Sequence, residues 1–467
     1  MAVSLGQNYN TPMKQKLTLL FLLASLYANG LFAQETEATP LDTLTNHVAG
    51  IRQDVDVLKR IKLSGYIQAQ FQYGDSTGAA AYNGGAFNAG IDKRFMIRRG
   101  RLKAQYDAPA NDRGISTSQY VLQFDVTEKG LTIKDAYGKF TDPWSGWFSI
   151  TAGMQNRPFG YEIPYSSSLR ESPERGRLSQ LIFPGERDLG AMLSIQGPKT
   201  SNWNWIKLDA GFFNGNGAPG AGGDVSDFDK KKDFITHLAI NRTSKSEKVK
   251  YGIGLSYYTG GYRIDTVNVY KFGVDSAGVK AYVLDMKKDD IKKVNINTRD
   301  YTERNYIGAD AQLSIDWNAG ITTLRAEYIQ GDQPSGSGNT GSTKSINSNL
   351  PVTTDIYKRK FNGAYFYFLQ NIARSPFQVI VKYDWYDPNT EIEGDEIGKS
   401  VSSTTVKTNA TDIKYTTLGL GLAYRWDANV KLTAYYDSVT NETSQNLSGY
   451  TKDLKDNVFT LRMQVKF

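Results

Sequence analysis

Cysteine is absent from all 467 residues. That removes disulfide frameworks, zinc knuckles and lipidation of an N-terminal cysteine. Histidine occurs only at His47 and His237, a thin supply for general-base chemistry. No stretch beyond the leader approaches the ~18 apolar residues that a membrane-crossing helix needs, and mean hydropathy is −0.46. The net charge of +7 is dispersed along the chain. Without a concentrated basic stripe, nucleic acid is not an indicated partner. What the chain does hold is 29 Tyr, 21 Phe and 44 Gly, together with many Thr and Asn. That composition suits strands and turns, and the length suits two or three ordinary domains or one large β architecture.

The first 33 residues read as an export signal. Met13-Lys14-Gln15-Lys16 supplies a basic start, Leu17 to Leu26 an apolar stretch, and LFAQ a cut after Ala33, with Gly30 as the alternative. Met13 is then the natural initiator. Residues 34–61 form a second segment, with the one convincing helix of the chain over 41–61. Leu41, Leu44, Val48, Ile51, Val55 and Leu58 recur at the spacing of a coiled-coil seam. So short a seam is marginal alone. It reads either as a helix lying on the rest of the protein or as a periplasmic oligomerising stalk, trimeric because β-branched residues occupy both seam positions. His47 lies off the seam.

From residue 62 to 467 the pattern is alternation. In FMIRRGRLKAQYD (95–107), Gly100, Leu102, Ala104 and Tyr106 fall on one face, and Arg99, Arg101 and Lys103 on the other. A strand separates such sets and a helix scatters them. In KLSGYIQAQFQY (62–73) the odd positions are apolar or small and most even ones polar. Comparable stretches at 118–126, 132–140, 147–157, 188–197, 204–213, 232–241, 250–259, 305–316, 321–330, 359–370, 377–387, 414–424, 431–437 and 457–467 bring the count to sixteen strands. Short links at 141–146, 198–202, 318–320 and 373–376 alternate with long polar ones at 158–187, 214–231, 260–304, 331–358, 388–413 and 438–456. A soluble sandwich has no reason to gather its short turns at one end. An all-β, 16-stranded antiparallel transmembrane β-barrel does, with short periplasmic turns and long outside loops. The final NVFTLRMQVKF alternates to a terminal Phe467, which resembles the signal read by the barrel assembly machinery.

Several stretches resemble the phosphate-selective porin O and P family. They are IRRGRL (97–102), KDAYGKF (134–140), GMQNRPFGYE (153–162), ERDLGAMLSIQG (186–197), AGFFNGNG (210–217), YIGADAQLS (306–314), LRAEYIQG (324–331) and VKYDWYDPN (381–389), in the family's order. The resemblance implies a sixteen-stranded outer-membrane barrel, usually a homotrimer, with loop 3 folded into the lumen and a basic constriction favouring anions such as phosphate. A short N-terminal helical stalk is common in that family. The long loops 261–304 and 332–358 depart from it, so the resemblance does not fix the solute.

If lipid takes the apolar face, Arg99, Arg101 and Lys103 face the water-filled interior. Arg94 and Arg98 have the opposite parity, which lipopolysaccharide phosphates at the rim or a β-bulge would accommodate. Loop 3, over 158–187 after a lumen-facing Arg157, carries Arg170, Arg175 and Arg177 beside Glu162, Glu171, Glu174 and Glu186. The expectation is that these arginines meet strand 2 at the constriction while the carboxylates orient them. A fixed charge ~4 Å from an ion is worth roughly 4 kcal/mol at an effective dielectric near 20, and a pore needs several weak contacts in series. Parity also sends Asp310, Arg325, Glu327, Lys382, Asp384, Arg462 and Lys466 inward.

Enzymatic readings are thin. His237 shares the parity of Ile235 and so points to lipid or the interfacial girdle, away from a hydrolase base's place. GNGAPGAGG (215–223) lacks the Lys-Ser/Thr of a phosphate loop, and DPNTEIEGDE (387–396) lacks the sixth-position glycine of a calcium loop. No cofactor, metal or catalytic residue is expected. The alternatives to an anion channel are a general diffusion porin and a loop-mediated receptor or adhesin on a barrel anchor.

Overall fold

The computed structural model describes residues 40–80, 82–215, 217, 230–263, 268–287, 301–338 and 355–467. The leader 1–33, most of the glycine run 215–223 and parts of the connections 260–304 and 331–358 lie outside them. The N-terminal unit, ending at Lys59, contains one described helix, α1 (Pro40–Leu58). Its seam residues Leu41, Leu44, Val48, Ile51, Val55 and Leu58 are all exposed.

The second unit, from Arg60 to Phe467, is a sheet closed on itself. Its strands are β1 (Ile61–Gly74), β2 (Lys93–Asp107), β3 (Ser118–Thr127), β4 (Gly130–Thr141), β5 (Phe148–Asn156), β6 (Arg187–Gln196), β7 (Ile206–Phe213), β8 (Asp233–Thr243) and β9 (Val249–Arg263). Then come β10 (Val269–Val274), β11 (Lys280–Met286), β12 (Tyr301–Trp317), β13 (Gly320–Gly336), β14 (Ile356–Asn371), β15 (Phe377–Asp387), β16 (Tyr415–Arg425), β17 (Val430–Asn441) and β18 (Val458–Lys466). Sixteen of these are staves. β9 pairs directly with β12, and β1 closes onto β18 with Tyr66 opposite Lys466. Closure gives both edge strands a partner and leaves no exposed sheet edge.

The staves match the sixteen alternating segments, but β10 and β11 were not anticipated. They form a hairpin within the 260–304 connection, and β10 runs parallel to β14 with Val269 opposite Ile356. The alternation of connection lengths also has an exception: β3 and β4 are joined by Glu128 and Lys129 alone, at the end that otherwise carries long loops.

Along β1, Leu63 and Ile67 are exposed on the outer face, whereas Gln68, Gln70 and Gln72 are buried within the barrel. On β2, Phe95, Ile97 and Leu102 are outside and Arg99 and Arg101 inside. The parity change between Ile97 and Arg99 is a bulge. Gln68 pairs with Arg99 and Ala69 with Ile97, leaving Arg98 as the extra residue. The bulge, not rim lipid, accommodates Arg98. Arg94 likewise turns inward, donating to Gln72 Oε1 at 2.8 Å and to the Gly85 carbonyl of the β1–β2 loop at 2.6 Å.

Candidate functional site: the lumen and its constriction

Loop 3 follows β5 and turns into the barrel at Gly160, whose φ of 59° is left-handed. A Cβ there would overlap the Glu327 carboxylate, so glycine is required on two counts. Gly160 N–H donates to Ser256 Oγ at 2.8 Å, and the amides of Tyr161 and Glu162 donate to Glu327 Oε2 at 3.2 and 3.0 Å.

Past this turn the loop is held in two ways. Phe159, Ile163, Leu178, Ile182 and Phe183, with Leu178 and Ile182 on the short helix α2 (Arg177–Ile182), pack with Phe213, Ile235, Tyr258, Tyr306, Ile329, Phe361 and Tyr386 of the wall. These wall residues have inward parity, so this part of the lumen is an apolar core. Each such side chain contributes about 1.5–3 kcal/mol on full burial. The other hold is polar. Gln68, Gln464 and Lys431 donate to the carbonyls of Ser167, Ser168 and Arg170 at 3.0, 2.9 and 2.9 Å. Glu171 meets Arg325 at 3.2 Å. Glu174 receives Arg98 at 2.8 Å, Arg99 at 2.7 Å and Arg462 at 2.9 Å.

That last contact corrects the expected polarity of the constriction. The loop meets strand 2 through a glutamate, not through its arginines, because guanidinium against guanidinium would be repulsive. Arg175 is turned back into the loop, gripped by the Glu186 carboxylate and the Glu162 carbonyl. Arg177 is sandwiched between the rings of Tyr82 and Tyr415, 4.6 and 4.0 Å from their centroids. Arg170 is buried with its guanidinium nitrogens lacking a hydrogen-bond partner among the described residues. Arg157 lies over Phe183 and donates to the carbonyls of Glu186 and Pro184. Burial alone would raise the Glu174 carboxyl, but Arg98, Arg99 and Arg462 outweigh it and hold it well below the usual carboxylate range. Arg175 and Arg187 do the same for Glu186 against the same opposing burial.

Beside the loop an open cavity of about 810 Å³ runs along β1 to β9. Eight basic side chains border it, Arg101, Lys103, Lys139, Arg157, Arg175, Arg187, Lys207 and Lys466, against three aspartates, Asp135, Asp209 and Asp310. Arg101 pairs with Asp125 at 3.0 Å, Arg187 with Asp135 at 3.0 Å and Lys207 with Asp209 at 2.7 Å. Lys103 and Lys139 make no ion pair among the described residues. Lys382, Arg325 and Arg462 face inward as parity indicated, but on the filled side, where Lys382 meets Asp384 at 2.9 Å.

His237 needs a second correction. It borders the cavity, with Nε2 3.0 Å from Asp310 Oδ2. The parity argument failed because Ile235, taken as a lipid-facing marker, is itself buried in the luminal apolar core. The sequence reading also passed over Lys139, Arg187 and Lys207. Period-two parity within β4 and β7 is the signal that finds Lys139 and Lys207; Arg187 shares the parity of the outward Leu189 and Leu193, and its pairing with Asp135 and Glu186 draws it inside. The apolar luminal wall had a signal too: in β14, aromatic residues occupy both parities, Tyr365 and Tyr367 inside, Phe366 and Phe368 outside. A stave covered on both faces reads that way.

No family model matches the chain, and no curated protein matches it in sequence. Among solved structures, it is similar to the outer-membrane protein OmpT of Vibrio cholerae in its trimer form, at 10% identity and TM-score 0.47, covering 87% of this chain and 99% of that one. It is also similar to the outer-membrane channel DcaP of Acinetobacter baumannii, at 12% identity and TM-score 0.47, covering 87% and 97%. A complex of Salmonella typhi OmpF with daunomycin matches at 10% identity and TM-score 0.47, again over 87% and 97%.

Proposed function

We propose that the chain is a porin of a Gram-negative-type outer membrane, a non-enzymatic channel through which small hydrophilic solutes, anions foremost, diffuse along one flank of the lumen. The observation that carries this reading is the open cavity on the β1–β9 side, with its excess of cations over aspartates and its unpaired Lys103 and Lys139. Exposed apolar staves outside and polar side chains inside are what a water-filled barrel in lipid requires. Within the same reading α1 is a periplasmic stalk of a homotrimer, Phe467 the assembly signal, and lipopolysaccharide the outer-leaflet neighbour. Inorganic phosphate is the anion favoured by the sequence motifs, since paired donors of arginine suit its oxygens.

The test is the reversal potential of the purified protein in a planar bilayer under a KCl gradient. Anion preference is expected, and cation preference refutes the reading. Replacing one side with potassium phosphate then separates phosphate preference from general diffusion. A receptor on a sealed barrel would give no steady conductance at all.

A further inference from the structure

Three guanidinium groups converge on one loop carboxylate. Arg98 presents Nε and Nη2 to the two Glu174 oxygens at 2.8 and 3.1 Å. Arg99 presents Nη2 at 2.7 Å and Nη1 at 3.3 Å, and Arg462 adds Nη2 at 2.9 Å. Among the described residues Glu174 is the one carboxylate in ion-pair contact with any of the three. One negative charge therefore answers three positive ones, in a place where Arg99, Arg462 and Glu174 are all buried. A structural ion pair needs one guanidinium per carboxylate; a site shaped for an oxyanion with several oxygens uses more.

We propose that Arg98, Arg99 and Arg462 form a cradle for a small oxyanion of the phosphate class, and that Glu174 is a tethered occupant which such an anion displaces. This rests on the channel reading above and adds to it a ligand-coupled constriction. Loop 3 does not depend on Glu174 for its place. The apolar core around Phe183 holds it after residue 176, and the carbonyls of Ser167, Ser168 and Arg170 hold it before residue 172. The segment between is itself held, Ser172 by Tyr367, the Pro173 carbonyl by Arg462 and Arg175 by Glu186, so only the Glu174 side chain needs to swing out of the cradle. Departure of the carboxylate alone would strand two buried cations and a half-buried one, so the closed form persists until another anion takes the place. Because the carboxylate is tethered, its effective concentration is of millimolar order or above, and a free anion must reach that range to compete.

Single-channel recording in KCl, with inorganic phosphate added, tests this. The wild-type channel is expected to spend at least about twofold more time at its higher conductance level as phosphate reaches millimolar concentration. Glu174→Gln is expected to occupy that level without phosphate and to respond to it little, with Glu174→Asp between the two. Heat-dependent gel mobility establishes that each barrel is folded, and the wild-type arm requires no variant. A wild-type conductance that phosphate leaves unchanged or lowers overturns the cradle, as does a folded Glu174→Gln channel indistinguishable from wild type. Either result leaves the KCl reversal potential, and with it the anion-channel reading, standing.

Discussion

On the flank bounded by β13 to β18, the lumen is filled, and cation meets carboxylate: Arg325 with Glu171, Lys382 with Asp384, Arg462 with Glu174. Along β1 to β9 an open cavity remains, although Phe213, Ile235 and Tyr258 of β7 to β9 join the apolar core, and around that cavity, which Asp310 of β12 and Lys466 of β18 also border, basic side chains outnumber aspartates eight to three. The same residue types thus do two jobs. Where loop 3 excludes water, an unpaired charge would cost several kcal/mol, and most cations there meet a carboxylate, although Arg170 and Arg177 are held without one among the described residues. Where water remains, an unpaired lysine keeps its hydration and its field reaches into the open cavity.

The largest way to break this contrast is to empty the filled flank. Phe183 is fully buried and packs at a tilt against Phe159 with centroids 4.9 Å apart. Phe183→Ala should cost about 3–5 kcal/mol, as large-to-small core changes do. Closure of the barrel does not depend on it, so the loss falls on the docking of loop 3. A several-fold higher and noisier conductance is expected from a barrel that still shows heat-dependent gel mobility. Unchanged conductance would mean that the apolar core does not set the constriction.

A smaller effect should come from inverting the open flank. Lys103→Glu with Lys139→Glu places two acids where two unpaired cations stood, reversing the balance around the cavity. The KCl reversal potential is expected to move toward cation preference by tens of millivolts, while Lys382→Gln on the filled flank moves it little. Equal shifts from both changes would erase the distinction between the flanks.

Much of this division was legible before any coordinates, and the residues show where legibility stopped. The outer face follows one apolar rule on every stave, so Leu63, Ile67, Leu102 and Phe459 announce it without reference to neighbours. The inside obeys no single rule. Ile235 is apolar because loop 3 covers it, and it misdirected the reading of His237. The bulge at Arg98 was one of two readings that the parity switch around Arg98 left open, and the pairing with β1 decides it. The mixed charge of loop 3 was visible, but not that Glu174 would reach three arginines drawn from β2 and β18. The β10–β11 hairpin lay in a connection whose polar composition concealed it, since its strands are stabilised by docking on β14 rather than by a lipid face.

Gly160 sharpens the comparison at the hinge between the flanks. An alanine there would meet both the strain of a left-handed φ, of order 1–3 kcal/mol, and the Glu327 carboxylate. Gly160→Ala should therefore shift loop 3 as a unit and roughly double the open-channel current noise. Quiet wild-type current from this variant would show that the turn relaxes freely.

The smallest effect expected is that of pH on the Glu174 contact, and its size follows from the sign of the shift. Glu174 is depressed below its unfolded value, so its contribution is fully present above the ordinary carboxylate range and is lost only as pH falls through the depressed folded value. Between pH 8 and pH 5 the contact is therefore constant, and the conductance in KCl without phosphate should be flat over that interval. A fall below the ordinary carboxylate range should be needed before the higher level becomes populated. Wild-type conductance that rose already between pH 7 and pH 5 would mean that three guanidinium groups do not hold this carboxylate, and the filled flank would then be no more firmly paired than the open one.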